Sequence, residues 1–180
     1  MTKRSGTTGG VLGAATVAMG LIAGTFYVFA CAVMPGLARS DDRVYVEVMR
    51  NINGVIQNPV FMLSFLGALL LTGVAAWQGR GEPHRRWVWA ALAAYALAFL
   101  VTVAFNIPLN NALDTATDPT TARADFEDAW VAWNVVRGVL STVAVGCLAR
   151  ALLVRGRSYG SASAYSASAA GSAARSSAAR

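Results

Sequence analysis

The sequence predicts an all-α fold: a four-transmembrane-helix bundle with an extra amphipathic helix in the first outer loop. Three observations predict it. Charged residues make up only 13% of the 180 residues, hydrophobic ones 56%, and the mean hydropathy is +0.48; a soluble domain carries about a quarter charged residues. Four stretches, about 11–34, 60–77, 87–105 and 133–154, are apolar and almost free of charge. Each approaches the ~20 residues that cross ~30 Å of hydrocarbon at ~1.5 Å per residue. None shows the polar stripe, recurring every three or four residues, of a soluble bundle helix.

Residues 1–10 form a short Gly/Thr-rich basic tail, and 11–154 form the membrane domain. Span one is longer than the ~7–15 residues of a signal-peptide core and is read as retained. Its Gly20 and Gly24 form a G-x-x-x-G pair, expected to pack closely within the bundle, and Pro35-Gly36 is expected to end it. The loop that follows looks helical: Ser40 or Asp41 can cap it, and Val44, Val48, Ile52 and Val55 form an apolar stripe. It leads through Asn58-Pro59 into span two. A short, turn-rich loop, "QGRGEPHRR", joins spans two and three. After turn signals at Asp118-Pro119, the last helix is expected to start at about Thr121 to Asp125. Residues 155–180 are Ser/Ala/Gly-rich and expected to be disordered.

Charge sets the expected topology. Lys3, Arg4, Arg80, Arg85, Arg86, Arg150, Arg155, Arg157, Arg175 and Arg180 lie on one side of the bundle, against Arg39, Arg43, Arg50 and Arg123 in the two loops on the other, which also hold every acid except Glu82. The positive-inside rule then puts both termini in the cytoplasm, with the protein integral to the plasma membrane. The net charge of +6 is thereby a topological signal, and no nucleic-acid partner is expected. Cys31 lies near the outer end of span one, whereas Cys147 is roughly 20 Å deeper by helical rise. That is too far for a disulfide, and both read as buried small apolar residues.

Polar residues at the outer ends of the spans carry the candidate chemistry. Trp130, Trp133, Asn134, Arg137 and Ser141 recur at three- and four-residue spacing on the last helix. Arg137 sits about one turn inside the boundary, where a lipid-facing charge costs a few kcal/mol. Either it snorkels to the headgroups or it turns inward onto amides. The neighbouring amides favour the inward arrangement. Span three offers Thr102, Asn106 and Asn110 on one face, and Asn53 and Asn58 come from the loop before span two. Each amide alone can cap a helix end or satisfy backbone freed by proline; together with Arg137 they suggest a shared polar pocket.

Several functions are argued down. His84 is the only histidine, so no bis-histidine haem site exists, and no Cys/His cluster, phosphate loop or nucleophile elbow appears. No acid lies within a span, against a carboxylate proton relay. No matched broken helices suggest a transporter.

Four motifs occur in order along the chain: "AGTFYVFACAVMPGL", "MRNINGVIQNPVF", "NIPLN" and "WVAWNVVR". Together they resemble the anthrone oxygenase-like family of small membrane proteins, over about residues 10 to 154. The family is mostly of unknown function, and its assigned members oxidise polyketide anthrones to anthraquinones without metal or flavin. The resemblance maps the shared polar positions onto Asn53, Pro59, Asn106, Pro108, Asn110, Trp133, Asn134 and Arg137. It implies a cofactor-independent oxygenase, hence an oxidoreductase, acting on anthrone-like phenolic substrates.

The residues allow such chemistry. Arg137, Asn106 and Asn134 would act catalytically by stabilising an enolate. Tyr27 and Trp133 would pack on the flat ring, with Asn53 and Asn110 also binding substrate. The base would be a loop carboxylate or water. The expected partners are membrane lipids and a flat aromatic or quinone-like small molecule. The alternative is a non-catalytic membrane module that binds a lipid, a quinone-like molecule or a partner protein.

Overall fold

The computed structural model describes residues 7–158 in full, and 2–6 and 159–178 by the course of the backbone alone. Four helical rods are long and apolar enough to cross a membrane: Thr7–Leu37, Pro59–Gln78, Arg85–Thr115 and Pro119–Ser158. The first comprises α1 (Thr2–Val28), a π-helical turn (Phe29–Val33) and α2 (Met34–Leu37). A loop helix, α3 (Asp42–Ile56), precedes the second rod, α4 (Pro59–Gln78). The third comprises α5 (Arg85–Val101), a π turn (Thr102–Asn106) and α6 (Ile107–Thr115). The last is α7 (Pro119–Ala178). The most extensive packing is α5 on α7 and α1 on both α4 and α7. The tail expected to be disordered over 155–180 starts as a continuation of α7; beyond Ser158 that expectation lies outside the fully described residues.

Spans one and three outrun their expected ends for one reason. Pro35 does not stop span one, nor Pro108 span three. A proline ring clashes with the carbonyl four residues back in a regular helix. Here the turn before each proline is widened: Met34 N–H donates to Phe29 O, and Ile107 N–H to Thr102 O, both five residues back. Such π turns insert one residue and shift the register of everything after them.

Helix starts follow side-chain caps. Asp41 accepts from Val44 N–H at 3.0 Å to start α3, and Asn58 accepts from Val60 and Phe61 at 3.0 and 3.1 Å ahead of Pro59. Asp118 accepts from the Thr121 hydroxyl at 2.6 Å and its N–H at 2.9 Å, so α7 begins at Pro119, before the expected start. These bonds hold the Asp118 carboxyl below its ordinary range.

Two apolar clusters stand one above the other. The cluster within the spans is rich in buried alanine (Ala15, Ala68, Ala75, Ala76, Ala91, Ala98, Ala144, Ala151); such small side chains let membrane helices approach closely. The cluster at the α3/α6 end is built from Met34, Tyr45, Val46, Met49, Leu113, Phe126 and Trp130. Two arginines hold that end together. Arg123 donates to the carbonyls of Ala38 and Ser40, pairs with Asp42 and Glu127, and lies 4.6 Å over the Tyr45 ring. Burial pushes the Tyr45 phenol above its ordinary range. Arg50 donates to Leu113 O at 2.7 Å and to Ala116 O, placing a cation on the C-terminal carbonyls of α6.

Three expectations are corrected. The buried face of α3 is Tyr45, Val46, Met49 and Asn53, while Val44 and Val55 are exposed; the large side chains claim the core and turn the smaller valines outward. Gly20 and Gly24 face away from the bundle, with open space beside both. The close approach is instead at Gly138, where a Cβ would meet Phe26 at 3.7 Å. Cys31, on the same outward face of span one as Gly20 and Gly24, is exposed rather than buried.

Candidate functional site

Between the two apolar clusters lies a cavity of about 270 Å³. Its apolar wall is Phe26, Phe29, Ile52, Ile56, Phe61, Met62, Phe65 and Trp130. Within the wall Phe61 stacks on Phe65 at 5.7 Å and 13°, and Trp130 is backed from outside the cavity by Phe126 at 5.8 Å and 27°. Buried Thr102, Asn134 and Arg137 form its floor; Gln57, Asn111 and Asp114 are exposed and mark its mouth.

Arg137 is 6% exposed. Its guanidinium donates to Asn134 Oδ1 at 3.1 Å and to Thr102 Oγ1 at 3.4 Å. It lies 4.4 Å from the Phe26 ring centroid and 5.5 Å from that of Trp130, within cation–π range. Asn134 is itself oriented, donating Nδ2 to Phe26 O at 3.0 Å, which turns its oxygen to the arginine. Among the described residues the ion pairs run through Arg123, and Arg137 has none. Its Nε lacks any partner. A buried cation with a spare donor and no counter-ion presents an electrophilic floor to whatever enters. The inward arrangement read from the sequence is the one the structure shows.

The expected site residues divide. Arg137, Asn134, Asn53 and Asn110 line the cavity. Asn110 accepts from Trp130 Nε1 at 2.8 Å, joining α6 to α7, while Asn53 Nδ2 is buried and unpartnered. Asn106 is buried just behind the wall, its amide donating to Trp130 O at 3.4 Å. The π turn explains the displacement: Thr102 and Ile107, five apart, both line the cavity, so Asn106 falls off that face. Tyr27 is 66% exposed and lines a shallow apolar groove with Ala30, Gly138 and Val139, on the outside of the bundle. Trp133 stacks on Phe105 at 3.8 Å, also outside the cavity. Helical geometry separates it from Trp130, which shares the inward face with Asn134 and Arg137 at i, i+4 and i+7. Asn58 serves as a helix cap.

The sequence placed Trp130 beside Asn134 and Arg137 without giving it a part in the wall, and of the α6 lining it named Asn110 alone. Ile107, Asn110, Asn111 and Asp114 stand at i, i+3, i+4 and i+7 and line the cavity together. That periodicity was visible, but only if the helix crossed Pro108.

A family model described as anthrone oxygenase matches residues 54–147, just over half of the chain. The matched segment carries the α4 wall, the α6 stripe and the Trp130-Asn134-Arg137 face. No curated protein and no solved structure gives a match.

Proposed function

The chain belongs to the anthrone oxygenase family, and from that premise we propose that it is a membrane oxygenase acting on a flat phenolic ketone of anthrone type. One observation carries this reading: the buried Arg137 guanidinium, without a carboxylate partner, faces an aromatic-walled cavity. A ketone whose ring methylene is acidic would sit between the aromatic walls with its oxygen on Arg137. Loss of a methylene proton places the charge of the enolate on that oxygen, where the guanidinium, held in place by Asn134 Oδ1, stabilises it. The enolate passes one electron to dioxygen, and the two radicals combine to form a carbon–oxygen bond. Loss of the second methylene proton with cleavage of the O–O bond leaves the quinone. In sum, the methylene and one dioxygen give a carbonyl and one water. The reading assigns no metal or flavin to the site.

The segregation of basic residues supports an orientation with both termini in the cytoplasm of a plasma-membrane protein, the cavity mouth facing outward. A lipophilic substrate would then reach the mouth from the outer leaflet.

The test is oxygen uptake by detergent-purified protein with an anthrone, beside Arg137→Gln. The expected result is a loss of turnover of about 100-fold, the scale of removing one oxyanion donor. Melting temperature should hold or rise, because an unpaired buried charge is costly to the fold. Uptake unchanged by the substitution would sink the mechanism. Binding of a quinone or lipid without turnover would favour the non-catalytic module.

A further inference from the structure

Resting on that reading, we propose that Asp114 is the base that takes the substrate's methylene proton, at the opposite pole of the cavity from Arg137. Asp114 is the one carboxylate that lines the cavity among the described residues, and no histidine lines it. No hydrogen bond or ion pair engages its carboxylate there, unlike that of Asp42 or Asp118. Its position follows from the α6 stripe, since it stands one turn beyond Asn110 on the same face.

The two poles are spaced by an observed strut. Asn110 Oδ1 and Trp130 Nε1, 2.8 Å apart, put one level of α6 against one level of α7. The Arg137 guanidinium lies 5.5 Å from the Trp130 ring, on the deep side. Asp114 lies one turn, about 6 Å, on the mouth side. The helices run in opposite directions, so both side chains lean toward the space between. Carboxylate and guanidinium are therefore about 10 Å apart, which excludes a direct ion pair. A ring with carbonyl and methylene opposite one another measures about 4 Å from oxygen to methylene carbon, and a contact of about 3 Å at each end completes the same span.

Asp114 breaks the C–H bond and takes the proton; the electron pair moves through the ring to the oxygen at Arg137. After dioxygen adds, the peroxide anion takes that proton back from Asp114. Asp114 then removes the second methylene proton, the carbonyl forms and hydroxide leaves, taking the proton from Asp114 as water. Both protons end in water, and the carboxylate is regenerated.

Anaerobic exchange of the methylene hydrogens of an anthrone with D2O, catalysed by full-length protein in detergent, isolates this step from oxidation. Wild type should exceed the spontaneous rate, Asp114→Asn should lose ~100-fold of that excess, and Asp114→Glu should recover part of it. Asp125→Asn, an exposed acid away from the cavity, should match wild type. A hydroxyanthraquinone should still quench intrinsic tryptophan fluorescence in Asp114→Asn, which shows a folded, occupied site. Exchange in Asp114→Asn within threefold of wild type overturns the assignment, as does oxygen uptake by wild type without exchange. Absence of any wild-type uptake overturns the oxygenase reading and the base with it.

Discussion

The two halves of the bundle solve packing in opposite ways. In the spans, alanines on all four rods let backbones close on one another, and little room remains. At the α3/α6 end the spacing is set by Met, Tyr, Phe and Trp side chains and by two arginines that grip backbone carbonyls across 63 to 85 residues of sequence. The first half is held by proximity and the second by struts. A cavity arises where one regime gives way to the other, and it contains a buried charge without an ion-pair partner among the described residues.

That contrast can be broken from the strut side first. Arg123→Ala removes hydrogen bonds to Ala38, Ser40, Asp42 and Glu127 at once. It should cost about 3 kcal/mol, read as a drop in detergent melting temperature, because hydrogen bonds to charged groups contribute about 1.5–3 kcal/mol each and some carbonyls regain water. A loss below about 0.5 kcal/mol would mean that the upper half is self-supporting. Next, Ala144→Leu should cost about 2 kcal/mol by overpacking the spans, whereas Ile56→Phe, at the cavity wall, should change stability by under about 1 kcal/mol while abolishing ligand quenching. Equal costs at the two sites would erase the distinction between a filled and a propped half.

The smallest effect concerns the loop between spans two and three. His84 is buried, and burial lowers its affinity for a proton, reinforced by the Arg155 charge and opposed by Glu82. The unfolded chain therefore binds a proton near the ordinary value of about 6.5, and the folded chain only at lower pH. Stability should fall slightly as pH drops below about 6.5, and His84→Gln should flatten that slope in a melting-temperature series. A slope that persists in the variant would assign it to other groups.

Much of this architecture was legible in the sequence because a membrane leaves few choices. Four apolar runs, two loops that hold eight of the nine acids, and an amphipathic insert lead to the observed rods. Arg137 was legible too, since a charge within a span must find an interior. What failed to read were matters of rotation. Pro35 looked like a stop and the apolar run of span three like its whole length, and only the widened turns before Pro35 and Pro108 show otherwise. Asn106 was placed by counting fours where the chain counts five, and the same miscount hid Asn111 and Asp114. Tyr27, Gly20 and Gly24 do share a face, but a face alone does not say whether it meets lipid or protein. On α3 two adjacent stripes were both apolar, and side-chain size decided between them.

The widened turn at 102–106 also bears on how such a site can change over generations. A π turn is a helix carrying one residue more than its hydrogen bonds require. Deleting a single residue there, such as Ala104, would swing α6 by about 100°, carrying Asn110 and Asp114 away from the cavity and leaving Pro108 to kink a rod still long enough to span. A one-codon indel can thus switch the mouth of this cavity off or on without rewriting any side chain that lines it.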